Sequence, residues 1–249
     1  MKKLIYACSV LALLFTSCSS DSDSPATTDG TLVKKIIDTD PIGDVMTTNF
    51  TYSGNKIVSA IDDTEETDMY FTYTGDDITK LEYKLNDGTV DQVDNYSYDS
   101  TGRLISMISI EPTIDWGSKE VYTYNTDGTV SVSYYSGDEL SQTNLDGTGK
   151  IYFTNGEVSK IERYDGADLE DTTTYTYDTK NNFMKNVTGY SKINFAFSTA
   201  DGVNHNIISE NSTLNGLWSY SFVYNDNGFP SSSTETYSGD VSTSVYFYE

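Results

Sequence analysis

Tyr96-Ser97-Tyr98-Asp99-Ser100-Thr101-Gly102-Arg103-Leu104 is the stretch on which the reading of the fold turns. Residues two apart in a strand share a face, so Tyr96 and Tyr98 point one way and Ser97 the other. Asp99 to Gly102 is turn vocabulary, with Gly102 placed to take the positive φ that a tight turn asks for. Beyond the turn the apolar residues Leu104 and Met107 stand three apart. In a regular strand that spacing changes face, so both can join one apolar layer only if the strand carries a β-bulge between them. The stretch therefore predicts a β-hairpin with two rings on one face and a bulged return strand.

The unit recurs. Copies begin at Phe50-Thr51-Tyr52, Phe71-Thr72-Tyr73, Tyr122-Thr123-Tyr124, Ile151-Tyr152-Phe153, Tyr175-Thr176-Tyr177 and Phe222-Val223-Tyr224, with a half-copy at Tyr246-Phe247-Tyr248. They follow at intervals of roughly 25 residues, and the gap between Tyr177 and Tyr224 is about twice that, room for one degenerate copy at Phe195-Ala196-Phe197. Glycine marks the first turn in most copies (Gly54, Gly75, Gly102, Gly128, Gly228), while Asp178-Thr179-Lys180-Asn181-Asn182 offers asparagine in its place. The three-apart pairs Ile78/Leu81 and Val158/Ile161 extend the bulge prediction. A second set of turns, at Asn86-Asp87-Gly88, Ser136-Gly137-Asp138, Asp165-Gly166-Ala167 and Ser238-Gly239-Asp240, closes each unit. The expected fold is all-β: an elongated antiparallel meander of repeated hairpins forming a twisted or curled sheet. A ring repeated in every hairpin is best used by packing on its neighbour in the next one, so the tyrosine pairs are assigned to the core rather than to a sugar-binding platform.

The pattern Y-x-Y-D-x-x-G-R-L at residues 96–104 resembles the core of the YD repeat of Rhs proteins and teneurins, and Tyr122-Thr123-Tyr124-Asn125 with Gly128 keeps part of it. Tyr177-Asp178-Thr179-Lys180-Asn181-Asn182-Phe183 is similar to a stretch found in Bacteroidota surface lipoproteins built from such repeats. In Rhs proteins these repeats wrap a cargo, and this chain is too short to enclose one of that size. The resemblance implies a β-hairpin repeat architecture and little mechanism, since fold does not carry function.

The N-terminus gives an address. Lys2 and Lys3 precede an apolar run from Leu4 to Phe15, too short to cross a bilayer as a helix, which takes about 20 residues, but suited to a signal-peptide core. Phe15-Thr16-Ser17-Cys18 resembles a bacterial lipobox, which implies cleavage before Cys18 and lipid attachment to it. More than one acyl chain would make attachment to a membrane stable. Residues 1–17 are thus read as a lipoprotein signal peptide, 18–31 as the lipidated cysteine with a flexible acidic Ser/Asp tether, and 32–249 as a single repeat domain. Asp21 and Asp23 resemble a surface-export signal, which favours the cell-surface leaflet of the outer membrane, with the periplasmic face as the alternative.

Charge and residue types narrow the chemistry. Asp+Glu number 38 against 15 Lys+Arg, a net charge of −23, which repels phosphate backbones and excludes nucleic acid as a partner. The 2 cysteines are Cys8 and Cys18, both spoken for by the leader and the anchor, so no disulfide or cysteine metal site is expected. His205 is the only histidine; it is read as a loop residue, and histidine-based metal sites and G-x-S-x-G hydrolase chemistry are set aside. The Asn144-Leu145-Asp146-Gly147 and Asn225-Asp226-Asn227-Gly228 segments could offer oxygens to calcium, but neither has a glutamate at the EF-hand spacing. No catalytic residue, metal or cofactor is assigned. Trp116 and Trp218, which interrupt the repeat, are the candidate ligand contacts. The leading reading is a non-enzymatic, membrane-anchored binding or structural module with a glycan or an envelope protein as partner. The alternative is a carboxylate-dependent glycan hydrolase, to be recognised by a cleft with converging carboxylates.

Overall fold

The computed structural model describes residues 30–64 and 67–249 of the chain. The first strands are β1 (Val33–Thr39), β2 (Val45–Ser53), β3 (Lys56–Asp62), β4 (Thr67–Thr74), β5 (Asp77–Leu85) and β6 (Val90–Tyr98). They are followed by β7 (Leu104–Glu111), β8 (Trp116–Tyr124), β9 (Val130–Gly137), β10 (Gln142–Thr154) and β11 (Glu157–Asp165). The last are β12 (Asp168–Tyr177), β13 (Ile207–Ser212), β14 (Gly216–Tyr224), β15 (Pro230–Tyr237) and β16 (Asp240–Tyr248). Each strand pairs antiparallel with its sequence neighbours, and β1 also pairs with β16, so the sheet closes into a barrel.

Closure corrects the elongated, open meander expected from the repeats: the hairpins lie side by side as foreseen, but the ends of the sheet meet. One physical reason is visible in the register. In the hairpin of Tyr98 the pairing steps from Ser97↔Ser106 to Tyr98↔Leu104, which leaves Ile105 extra on the return strand. The same step occurs at Tyr52↔Ile57, Tyr73↔Ile78, Phe153↔Val158 and Tyr224↔Pro230. The bulges expected at Ile78/Leu81, Leu104/Met107 and Val158/Ile161 are all present, and all six side chains are buried. The hairpin of Tyr124, whose apolar residues Val130 and Val132 stand two apart, runs without a bulge. A bulge bends and twists its strand, and the same bend repeated hairpin after hairpin curls the sheet toward its apolar face. Closure then removes both free edges. Lys34 meets Glu249 at 2.9 Å and the Lys35 ammonium lies 4.3 Å from the Phe247 ring across the seam.

The two rings of each unit face inward. Tyr96, Tyr122 and Tyr175 are buried, and the second tyrosine of a unit ties neighbouring hairpins together. The Tyr98 hydroxyl donates to the Ile78 carbonyl at 2.6 Å and that of Tyr177 to Val158 at 2.7 Å, in each case the paired residue just before the extra one in the preceding hairpin. The turn motif is equally concrete: Asp99 accepts from the backbone N–H of Thr101 and Arg103, pairs with the Arg103 guanidinium at 2.7 Å, and Gly102 takes φ 79°.

Residues 178–206 depart from the repeat. The turn expected at Asp178–Asn182 and the degenerate copy expected at Phe195-Ala196-Phe197 do not form a hairpin. The segment instead enters the barrel as an internal plug and returns to β13, with short 3-10 turns at Tyr190–Lys192 and Ala196–Ser198. Phe195 meets Tyr122 and Phe153 edge-on, at ring-centre distances of 5.3 and 5.9 Å. So the chain does enclose a cargo, a piece of itself. Its apolar stripe supplies rings that the inward tyrosines need as partners, which is why the repeat is interrupted here.

The interior is apolar against β5–β12 and the outer face is largely polar. Outward positions include Thr51, Thr72, Ser97, Thr123 and Thr176, all exposed. Mid-strand outward charges are paired with each other, Lys80 with Glu82 at 3.0 Å and Lys160 with Glu162 at 2.6 Å. Among the described residues no helix is long and apolar enough to cross a membrane. The expected signal peptide, Cys18 and most of the expected tether lie outside the described residues.

A candidate ligand chamber inside the barrel

The plug lies off-centre. Its apolar side packs against β5–β12, and a cavity of about 710 Å³ remains against β13–β16, β1 and β2. Inward residues of successive strands line it at matching heights. Glu210 comes from β13, and Tyr220 of β14 stands opposite Glu235 of β15, which faces Ser242 of β16. One level away, Phe222, Ser233 and Ser244 follow in the same order, and Ser244 donates to Asp38 of β1 at 2.5 Å. The Tyr246 hydroxyl lies 3.0 Å from that of Ser233. From the plug come Asn182, Phe183, Ala200, Asp201 and Asn206.

Charge in the chamber has one sign. Its carboxylates are Asp38, Asp40, Asp44, Asp201, Glu210 and Glu235, and no Lys, Arg or His side chain lines it. Burial, reinforced by the neighbouring Glu235 charge, pushes the Glu210 carboxyl above the ordinary range. Asp201 is exposed by surface area yet crowded by protein on all sides, which raises its carboxyl against the opposing hydrogen bond from the Tyr190 hydroxyl, 3.1 Å away. Tyr220 is raised by burial and by both glutamates. Among the described residues no three acidic or histidine side chains converge closely enough to hold a metal ion.

A second, smaller cavity of about 330 Å³ lies between the plug and β1–β6, walled by apolar side chains such as Ile36, Phe50, Met69 and Leu81. Phe183 and Asp201 belong to both cavities, so they form the partition between them.

The plug is held by the buried wall carboxylates Glu157 and Glu120, and by Asp178 at its own start. Glu157 accepts the backbone N–H groups of Asn204 and His205, both at 3.0 Å, and Asp178 accepts from the Asn206 amide at 3.0 Å. Glu120 on β8 accepts a short hydrogen bond from the Tyr122 hydroxyl and one from Ser198 at 3.4 Å, next to the left-handed residues Phe197 and Ser198. Burial outweighs these bonds and carries the Glu120 carboxyl up to about 7. Gly189 sits where any side chain would strike the Asp76 carbonyl, at 2.6 Å from the Cβ position, and its φ is 80°.

Of the residues singled out from sequence, neither tryptophan lines the chamber. Trp116 starts β8 at a rim and is 38 % exposed. Trp218 stacks flat on Tyr237, 3.9 Å between ring centres, at the end of the wall that carries Glu210. The two are six strands apart around the barrel. His205 lies in the return loop of the plug, its Nδ1 3.4 Å from Glu157. Sequence reasoning missed Asp38, Glu210, Tyr220 and Glu235. Tyr220 shares the parity of the inward Phe222 and Tyr224, a legible signal, whereas the meeting of β1 with β13–β15 depends on closure.

No protein-family model and no curated protein sequence matches the chain. Solved structures do resemble it. A porin-like protein from Bacteroides uniformis is 12 % identical with a TM-score of 0.53, over 91 % of this chain and 100 % of that one. A porin-like protein from Bacteroides vulgatus is 13 % identical with a TM-score of 0.42, over 88 % of this chain and 99 % of that one. At these identities the likeness concerns the fold, and the first of the two supports the closed all-β architecture.

Proposed function

We propose that the chain is a non-enzymatic lipoprotein of the outer membrane, tethered through Cys18, whose barrel stands in water and binds a small ligand in its interior chamber. The observation that carries the reading is the polarity of the barrel together with its plug. A barrel that spans a membrane turns an apolar band about 25 Å tall to the lipid. Here Glu82, Lys119 and Glu162 occupy mid-strand outward positions, Glu82 between Lys80 and Lys84 and opposite Tyr70, Lys119 opposite Ile108 and Tyr135, and Glu162 opposite Lys150 and Thr172. Such charges are costly against hydrocarbon. The plug blocks most of the lumen, so the fold is suited to holding a molecule and poorly suited to passing one. The word porin-like describes the neighbours and does not extend to conduction by this chain. Closure leaves no free edge for a partner strand to add to, and the chamber is the concave site that remains.

Hydrolysis of a glycan is the second reading, favoured by the raised Glu210 carboxyl beside Glu235. Against it, no described hydrogen bond fixes either carboxyl, whereas catalytic groups need to be held in place by their neighbours. The test uses the chain from residue 18 onward carrying Cys18→Ala. It should be monodisperse without detergent, give no conductance steps in planar bilayers, and release no chromophore from nitrophenyl glycosides. Detergent-dependent solubility with conductance steps would refute the reading. Turnover that Glu210→Gln abolishes would replace it with the hydrolase.

A further inference from the structure

We propose that the smaller cavity between the plug and β1–β6 is a second binding site, for an uncharged apolar molecule with one hydroxyl or carbonyl group that meets Tyr96. This site is separate from the chamber and does not depend on it. Protein interiors are close-packed and leave few voids larger than a water molecule, yet this one measures about 330 Å³. Ile57 and Leu81 wall it from the barrel and Met184 and Ile193 from the plug, all of them buried. Water held in a cavity needs roughly two to four polar partners, and these side chains offer none. A dry apolar cavity of about 150 Å³ takes up benzene, so this space suits a guest of roughly a dozen non-hydrogen atoms.

A second feature, independent of volume, is a bare hydroxyl. Tyr96 lines the cavity and is 6 % exposed. The Tyr122 hydroxyl donates to Glu120 and that of Tyr98 to the Ile78 carbonyl, but the Tyr96 hydroxyl has no hydrogen-bond partner among the described residues. Nor is it sealed on every side, as the unpartnered hydroxyls of Tyr52 and Tyr248 are. A buried hydroxyl left bare is costly, and a guest that donates to it or accepts from it removes that cost. Charge is unwelcome here. Ions lose too much hydration among such walls, and Asp201, the one carboxyl on the lining, repels an anion further. Phe197 closes the cavity toward solvent: its ring lines the space while 41 % exposed, and its φ of 59° is a left-handed conformation uncommon for so bulky a residue.

Equilibrium dialysis on the chain from residue 18 onward with Cys18→Ala tests this, using 1-decanol, 2-naphthol, naphthalene and 2-naphthoate below their solubility limits. Both alcohols should bind one to one, and 2-naphthoate at least about tenfold more weakly than 2-naphthol. Ala60→Phe, which fills the cavity from β3, should weaken both alcohols by at least about tenfold with circular dichroism unchanged. Tyr96→Phe should weaken 2-naphthol about fivefold and leave naphthalene unchanged, and this pair decides the matter should Ala60→Phe fail to fold. Ser242→Trp, which fills the chamber, should leave all binding as it was. Binding lost in Ser242→Trp and kept in Ala60→Phe would overturn this inference and leave the chamber reading standing. Equal weakening of 2-naphthol and naphthalene by Tyr96→Phe would overturn the part given to its hydroxyl. Equal binding of 2-naphthoate would overturn the uncharged guest. No binding of either alcohol would overturn the site, whatever the chamber holds.

Discussion

Glu120→Gln separates the cost of a buried charge from the hydrogen bonds around it. Glu120 is 7 % exposed, and burial is the largest influence on its carboxyl, partly opposed by the Tyr122 and Ser198 hydroxyls, the Arg163 charge and the Phe197 backbone. The carboxyl moves from 4.5 to about 7 on folding. Below 4.5 both folded and unfolded chains hold the proton and the group has no pH-dependent effect. Between 4.5 and about 7 the unfolded chain has released it while the fold retains it, so stability falls as pH rises through this window. Above the window the loss is complete, ~3 kcal/mol. Glutamine stays neutral throughout, so the variant should escape this loss. Its amide forfeits some of the local hydrogen bonding by an amount that does not change with pH. The gain of the variant over the native chain at pH 8, minus its gain at pH 4, should therefore be about 3 kcal/mol. Other raised carboxylates, Asp94, Asp201 and Glu210, cancel in that difference. Urea denaturation followed by tyrosine fluorescence reads it directly, and by melting it amounts to roughly 6–12 °C for a domain of this size. An equal effect of the substitution at both pH values would refute the buried-charge argument. Because Ser198 and Phe197 belong to the plug, the same titration should loosen the plug before the barrel.

Three further outcomes follow from the packing. Tyr98→Phe removes only the hydroxyl that donates to the Ile78 carbonyl and should cost about 1 kcal/mol, whereas Tyr98→Ala should cost about 3; equal costs in thermal melts would mean the ring does not pack between hairpins. Phe195→Ala strips the plug of its two edge-on ring contacts and should cost about 4 kcal/mol, with hydrogen exchange rising first in residues 190–200; uniform exchange across the barrel would contradict a separately held plug. Cys18→Ala in the full precursor should abolish lipid labelling and release the protein from membranes; unchanged fractionation with membranes would defeat the anchor.

The unit was legible because it is local. Two rings two apart, a glycine at the turn and apolar residues three apart describe one hairpin, and the bulges at Ile78, Leu104 and Val158 follow from residue spacing alone. The tyrosines were assigned to the core for the same local reason, and they are inward. Closure was not legible. Inward and outward positions alternate identically in an open sheet and in a barrel, so patterning cannot tell a curl from a ring. The plug was read as a decayed repeat because Phe195 and Phe197 stand two apart like the other ring pairs, although the φ of 59° at Phe197 excludes a strand.

Secondary structure, the buried ring layer and the acidity of the chain were thus set by residues close together in sequence, where spacing and side-chain type are enough. The closed ring, the internal position of residues 178–206 and the chamber they leave were decided only in three dimensions. Asp38 and Glu235 lie almost at opposite ends of the chain, and they line one cavity because β1 pairs with β16, an encounter that no local pattern records.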